Sequence, residues 1–113
     1  MKLSFDVDQG AGSKAALGLI VLQSDESMEA ELRSVFDQPG LALYHSRITS
    51  APEVTPETLA QMELDLPVAA ALLPTAQPLD VVGYGCTSGA TVIGADKISA
   101  IIRAAQPTSK TTD

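Results

Sequence analysis

The chain has 113 residues, 45% of them hydrophobic, 19% charged and 4% aromatic, with no tryptophan, which suits one domain with a core of its own and is short for two. Its net charge of −7 and pI near 4.4 oppose nucleic acid and anionic membrane surfaces as partners, since both call for clustered Lys and Arg. One cysteine and one histidine leave neither an internal disulfide nor a Cys/His metal set, so no metal or other cofactor is expected, and the predicted compartment is the reducing cytoplasm.

Residues 1–15 alternate Leu3, Phe5 and Val7 with polar neighbours before the flexible Gln9, Gly10, Gly12 and Ser13. That pattern fits an edge strand, or an arm lying on a partner, and equally a partly ordered leader. The start lacks the apolar core of a signal peptide, and no apolar run approaches the ~18 residues that span a bilayer, so a soluble protein is expected. Residues 16–22 form an apolar run broken only by Gly18, the pattern of a central parallel strand covered on both faces.

A polar loop follows, Gln23, Ser24, Asp25, Glu26 and Ser27, and then a segment with apolar residues at 28, 32, 35 and 36, which is helical spacing. Ser24 and Asp25 are preferred helix caps. The loop also sits at the carboxyl end of the first strand, and in a doubly wound sheet it would lie beside the matching loop of a neighbouring strand. Gln23, Ser24 and Asp25 are therefore candidate ligand-binding residues as well. Asp25 reads as a solvated acid at a helix start, as an acid or base, or as a partner for a substrate ammonium.

After a turn at Gln38, Pro39 and Gly40, residues 41–48 read as a second strand with its polar residues late in the run. His45 is a strand-end histidine or a catalytic one. Arg47 offers a planar fork that matches a carboxylate, with an ion pair to one of fourteen acids as the alternative. Thr55, Pro56 and Thr58 predict a helix start, with Thr55 as N-cap and Pro56 in the first helical position. That helix is expected over residues 56–73, burying Leu59, Met62, Leu66, Ala69, Ala70 and Leu73, with Pro67 kinking or splitting it.

Residues 79–84 read as a short buried strand running into Gly85, Cys86, Thr87, Ser88 and Gly89. A strand ending in such a turn is where open α/β sheets place ligands. Two readings of Cys86 stand side by side: a small hydrophobe packed in the core, or a thiol at a helix start, where main-chain donors favour the thiolate. Thr87 and Ser88 add hydroxyls that can hold a carboxylate or an enolate oxygen. Residues 95–105 are helix-like through Ile98, Ile101, Ile102 and Ala105, and residues 107–113 read as a polar tail after a domain over 16–106. The glycines match neither dinucleotide nor P-loop spacing, and no serine-hydrolase elbow is present.

The stretch Gly83-Tyr84-Gly85-Cys86-Thr87-Ser88-Gly89, set about sixty residues after Leu17 to Glu26, resembles the aspartate/glutamate racemase superfamily. The similarity is greatest to its maleate cis-trans isomerase and arylmalonate decarboxylase branch. Residues 44–48 and 55–59 add to the resemblance, which spans about 16–112. It implies a flavodoxin-like three-layer α/β fold with a parallel sheet of about four strands, forming one half of a pseudo-two-fold enzyme. It further implies cofactor-independent isomerase, racemase or decarboxylase-like chemistry on a small carboxylate or dicarboxylate, with Cys86 as the thiolate. In the family the loop after the first strand binds a substrate carboxylate, and a second half supplies a second cysteine. Here the loop carries the additional acid Asp25. A half exposing the surface meant for its missing partner is expected to associate as a homodimer or larger. A carboxylate-binding module without turnover and a thiol-dependent hydrolase or transferase are the alternatives; the latter needs a base near the thiol, and His45 is the one histidine.

Overall fold

The apolar run near the start of the chain becomes the inner strand β1 (Ala15–Leu22), flanked on both sides by other strands. The computed structural model describes residues 3–113, so Met1 and Lys2, the start of the predicted leader, lie outside the described residues. Residues 3–14 form no strand, and Leu3, Phe5 and Val7 are exposed. Their alternation meets no sheet edge within the chain.

The remaining elements follow in the order α1 (Met28–Val35), β2 (Leu41–Ile48), α2 (Pro56–Ala71), β3 (Val81–Gly85), α3 (Thr87–Ile93), α4 (Ala95–Ala105) and β4 (Lys110–Thr112). The strand order is β2-β1-β3-β4 and every pairing is parallel, with Leu19 opposite His45 and Ile20 opposite Tyr84. From β1 the chain steps outward to β2, then crosses back over β1 to β3 and steps outward the other way to β4. Right-handed crossovers in opposite directions put their helices on opposite faces.

One face is well covered. Ile20, Ile48, Val82 and Tyr84 of the sheet pack with Leu59, Met62, Leu66, Ala69 and Ala70 of α2 and with Ile98 and Ile102 of α4. The predicted stripe of α2 is buried throughout, including Leu73 just past its end. On the other face lies α1, which has no buried residue. Gly85 points there: a Cβ on it would stand 2.6 Å from the Met28 sulfur.

The α2 start forms as the sequence predicts. The Thr55 hydroxyl accepts from the Thr58 N–H at 3.1 Å, the Thr58 hydroxyl accepts from the Thr55 N–H at 2.8 Å, and Pro56 opens the helix. Pro67 does not split the element: one helix runs from Pro56 to Ala71. Pro67 lies on the exposed side, so the Glu63 carbonyl that loses its helical donor can turn to water.

The polar tail expected over 107–113 is corrected. Lys110–Thr112 pairs with β3, from Val81 opposite Lys110 to Gly83 opposite Thr112. Ser109 is buried, and its hydroxyl donates to the Leu79 carbonyl at 2.6 Å. Buried Gln106 reaches the Ala70 and Leu73 carbonyls at 3.4 and 3.5 Å, where the end of α2 leaves acceptors without helical donors. The polarity of these residues satisfies main-chain groups at the edge of the core, and the folded unit extends through them. No helix among the described residues is long and apolar enough to cross a membrane.

Candidate functional site

Because β1 leaves toward β2 and β3 leaves toward β4, the loops after their carboxyl ends diverge and open a crevice between two adjacent strands. Val21 stands opposite Gly85 at this level, and Cys86 is the first residue beyond β3. It is the N-cap of α3, in extended conformation, with its side chain turned inward. The sulfur accepts from the Gly89 N–H at 3.4 Å, and the Ser88 hydroxyl lies 3.8 Å from it. Cys86 is 7% exposed and belongs to the core cluster, yet it also lines a pocket of about 510 Å³. The thiol is thus both packed against the core and placed at the start of a helix.

Thr87, Ala90 and Thr91 of α3 line that pocket, with Leu19 of β1, Met28 of α1, and Thr112 and Asp113 at the end of the chain. Tyr84 joins them from two residues before Cys86 and is 3% exposed. Its hydroxyl is fully buried and has no hydrogen-bond partner among the described residues. Burial, and next the neighbouring Cys86, push the Tyr84 phenol well above its ordinary value. The space for these groups exists because residue 89 is glycine: a Cβ there would meet the Tyr84 hydroxyl at 2.5 Å and the Cys86 sulfur at 3.2 Å.

The other residues singled out from sequence fall in a separate neighbourhood. Gln23, Ser24 and Asp25 form the loop after β1 but do not line the Cys86 pocket; Met28, in the first turn of α1, does. Asp25 takes the capping role, its carboxylate accepting from the Ser27 and Met28 N–H groups at 3.1 and 2.9 Å. Ser24 accepts from the Ser50 hydroxyl at 3.1 Å. Arg47 donates through Nη1 to the carbonyls of Leu22, Gln23 and Asp25 at 3.0, 3.3 and 2.7 Å, and through Nη2 to Glu29 at 3.1 Å. Its fork thus holds the β1–α1 loop in shape.

His45 contacts Glu29, with the Arg33 guanidinium 3.3 Å away. It stands on β2, with β1 between it and β3, and does not line the Cys86 pocket. A thiol hydrolase using His45 as base has no support in this arrangement. Among the described residues no group of three or more His, Cys, Asp or Glu could hold a metal.

Tyr84 was legible as a strand residue but not as part of the site. The signal was its spacing, since residues two apart on a strand share a face. Thr112 and Asp113 carried no such signal, because their approach depends on β4 pairing with β3.

No family model matches the sequence, and no curated protein matches it. Among solved structures, the chain is similar to the maleate isomerase Iso from Pseudomonas putida S16, with a TM-score of 0.64 and 22% identity, over 87% of this chain and 44% of that one. The chain spans less than half the length of that structure. At this identity the likeness establishes the fold, a flavodoxin-like α/β unit with a four-stranded parallel sheet between helical layers.

Proposed function

We propose that this chain is half of a cofactor-independent isomerase or racemase that acts on a small carboxylate or dicarboxylate through Cys86 as thiolate. The observation that carries the reading is the position of the thiol. It lies beside a pocket at the carboxyl end of β3, where the sheet changes direction, in a fold shared with a maleate isomerase.

For an unsaturated dicarboxylate, the sulfur adds to one carbon of the double bond, and the electron pair moves through the other carbon toward its carboxylate. Rotation about the resulting single bond and departure of the sulfur then restore the double bond in the other geometry. For a saturated substrate, the thiolate takes the proton next to the carboxylate, and a proton returned to the opposite face inverts the centre. In either case Thr87 and Ser88, with nearby main-chain N–H groups, stabilise charge on the carboxylate oxygens. Gln23 and Ser24, outside the pocket lining on a loop that Arg47 shapes, would meet the far end of a substrate that extends beyond the pocket, and Asp25 would meet a substrate ammonium rather than a carboxylate. A reducing compartment such as the cytoplasm suits a free working thiol.

Inversion needs a donor on the second face, and the sequence holds one cysteine. The other group comes from a second half or from a second copy in a homodimer. Exposed Leu64 and Val68 of α2 and Leu72 at its C-cap, each four residues apart, favour association. As a monomer, the 113-residue chain is expected not to interconvert the enantiomers of aspartate or glutamate, a reaction that circular dichroism follows. Racemisation by the monomer would contradict the requirement for a second face, whereas racemisation confined to a dimer would place the second group on the partner copy.

A further inference from the structure

The buried Tyr84 hydroxyl has no hydrogen-bond partner among the described residues. A buried hydroxyl without a partner is costly, and native structures seldom keep one without a reason. Here it faces the vacant Cβ position of Gly89, 2.5 Å from it, and the Cys86 sulfur faces the same position at 3.2 Å. The sulfur already accepts from the Gly89 N–H and has the Ser88 hydroxyl within 3.8 Å. As a thiol it asks for little more; as a thiolate it is a charged acceptor in a site that water reaches poorly.

We propose that Tyr84 is a positioning residue for Cys86, its hydroxyl turning to donate a hydrogen bond to the sulfur when the sulfur is a thiolate. The inference rests on reading Cys86 as a working thiolate, but not on any particular substrate. Both groups lie on the face of β3 that packs against α2 and α4, and each lines the crevice pocket. The core residues packed on that face from α2 and α4, Leu59, Met62, Leu66, Ile98 and Ile102, carry no charge. In the pocket, α1 contributes Met28, α3 contributes Thr87, Ala90 and Thr91, and β1 contributes Leu19. Asp113 is the one carboxylate along the lining. The donor to the thiolate is therefore the phenol rather than a cation.

The test is the rate at which iodoacetamide alkylates Cys86, measured from about pH 6 to about pH 10 in the wild-type chain and in Tyr84→Phe. A hydrogen bond to a charged acceptor is worth enough that its loss should slow alkylation at neutral pH by about tenfold or more. The rates should converge where the sulfur is fully ionised. Equal rates at neutral pH, or a slowing that is the same at every pH, would overturn the proposal. Cys86→Ala gives an independent readout. If the thiolate accepts from the phenol, removing it should let the phenolate absorbance of Tyr84 appear at lower pH, and an unchanged or higher onset would count against the bond. Neither measurement uses a substrate, so failure here is distinct from failure of the isomerase reading, which turns on ligand protection and turnover.

Discussion

Tyr84 and Cys86 share a face because a strand sends alternate side chains to opposite sides, and Gly89 leaves both the room to meet. The buried phenol also makes stability depend on pH. Burial holds Tyr84 neutral to higher pH in the folded chain than in the unfolded chain, where tyrosine ionises near about pH 10. Above that value the unfolded state binds fewer protons than the native state, so stability present below about pH 10 is lost as pH rises further. Urea denaturation is expected to show this loss in the wild type and a shallower one in Tyr84→Phe. Parallel curves would mean that the hydroxyl is not held neutral.

At the scale of elements, Arg47 ties β2 to the β1–α1 loop through three carbonyls. The guanidinium is partly exposed, so its contribution is about 1–2 kcal/mol, below the full value of charge-assisted bonds. Arg47→Ala is expected to lower stability by about that amount and to speed amide exchange at residues 24–28. Unchanged exchange there would show that the loop keeps its shape without the fork. The sequence read the long regular elements well, because each carried several agreeing signals: β2 had an apolar run bounded by a turn, and α2 had a cap, a proline at its start and a buried stripe. It could not reveal β4. Three polar residues form a strand only because β3 offers them an edge, a tertiary cause that no local pattern records. The alternating Leu3, Phe5 and Val7 left strand, arm and leader open, and no strand forms over 3–14, since period-two spacing describes a strand only where an edge is available. The crevice was half legible for the same reason. Cys86 and its glycines announced a turn at a strand end, whereas Met28 and Thr112 reach the pocket only once the strand order is known.

At the scale of the molecule, the chain matches less than half of the structure it resembles, while α1 covers its face of the sheet thinly and α2 with its C-cap exposes Leu64, Val68 and Leu72. Sedimentation equilibrium at micromolar concentration is expected to give a mass above the 11.7 kDa of one chain, and Val68→Asp is expected to reduce it. A single-chain mass across that range would contradict association through these surfaces. The net charge of −7 opposes assembly only weakly, because salt screens it beyond about 8 Å. What joins these scales is the claim that Cys86 is a reactive thiol in a carboxylate site. The most direct test measures iodoacetamide alkylation of Cys86 with and without maleate, aspartate or glutamate. At least one of these is expected to slow the reaction in a saturable way; a rate indifferent to all of them, equal to that of a simply packed cysteine, would contradict that claim.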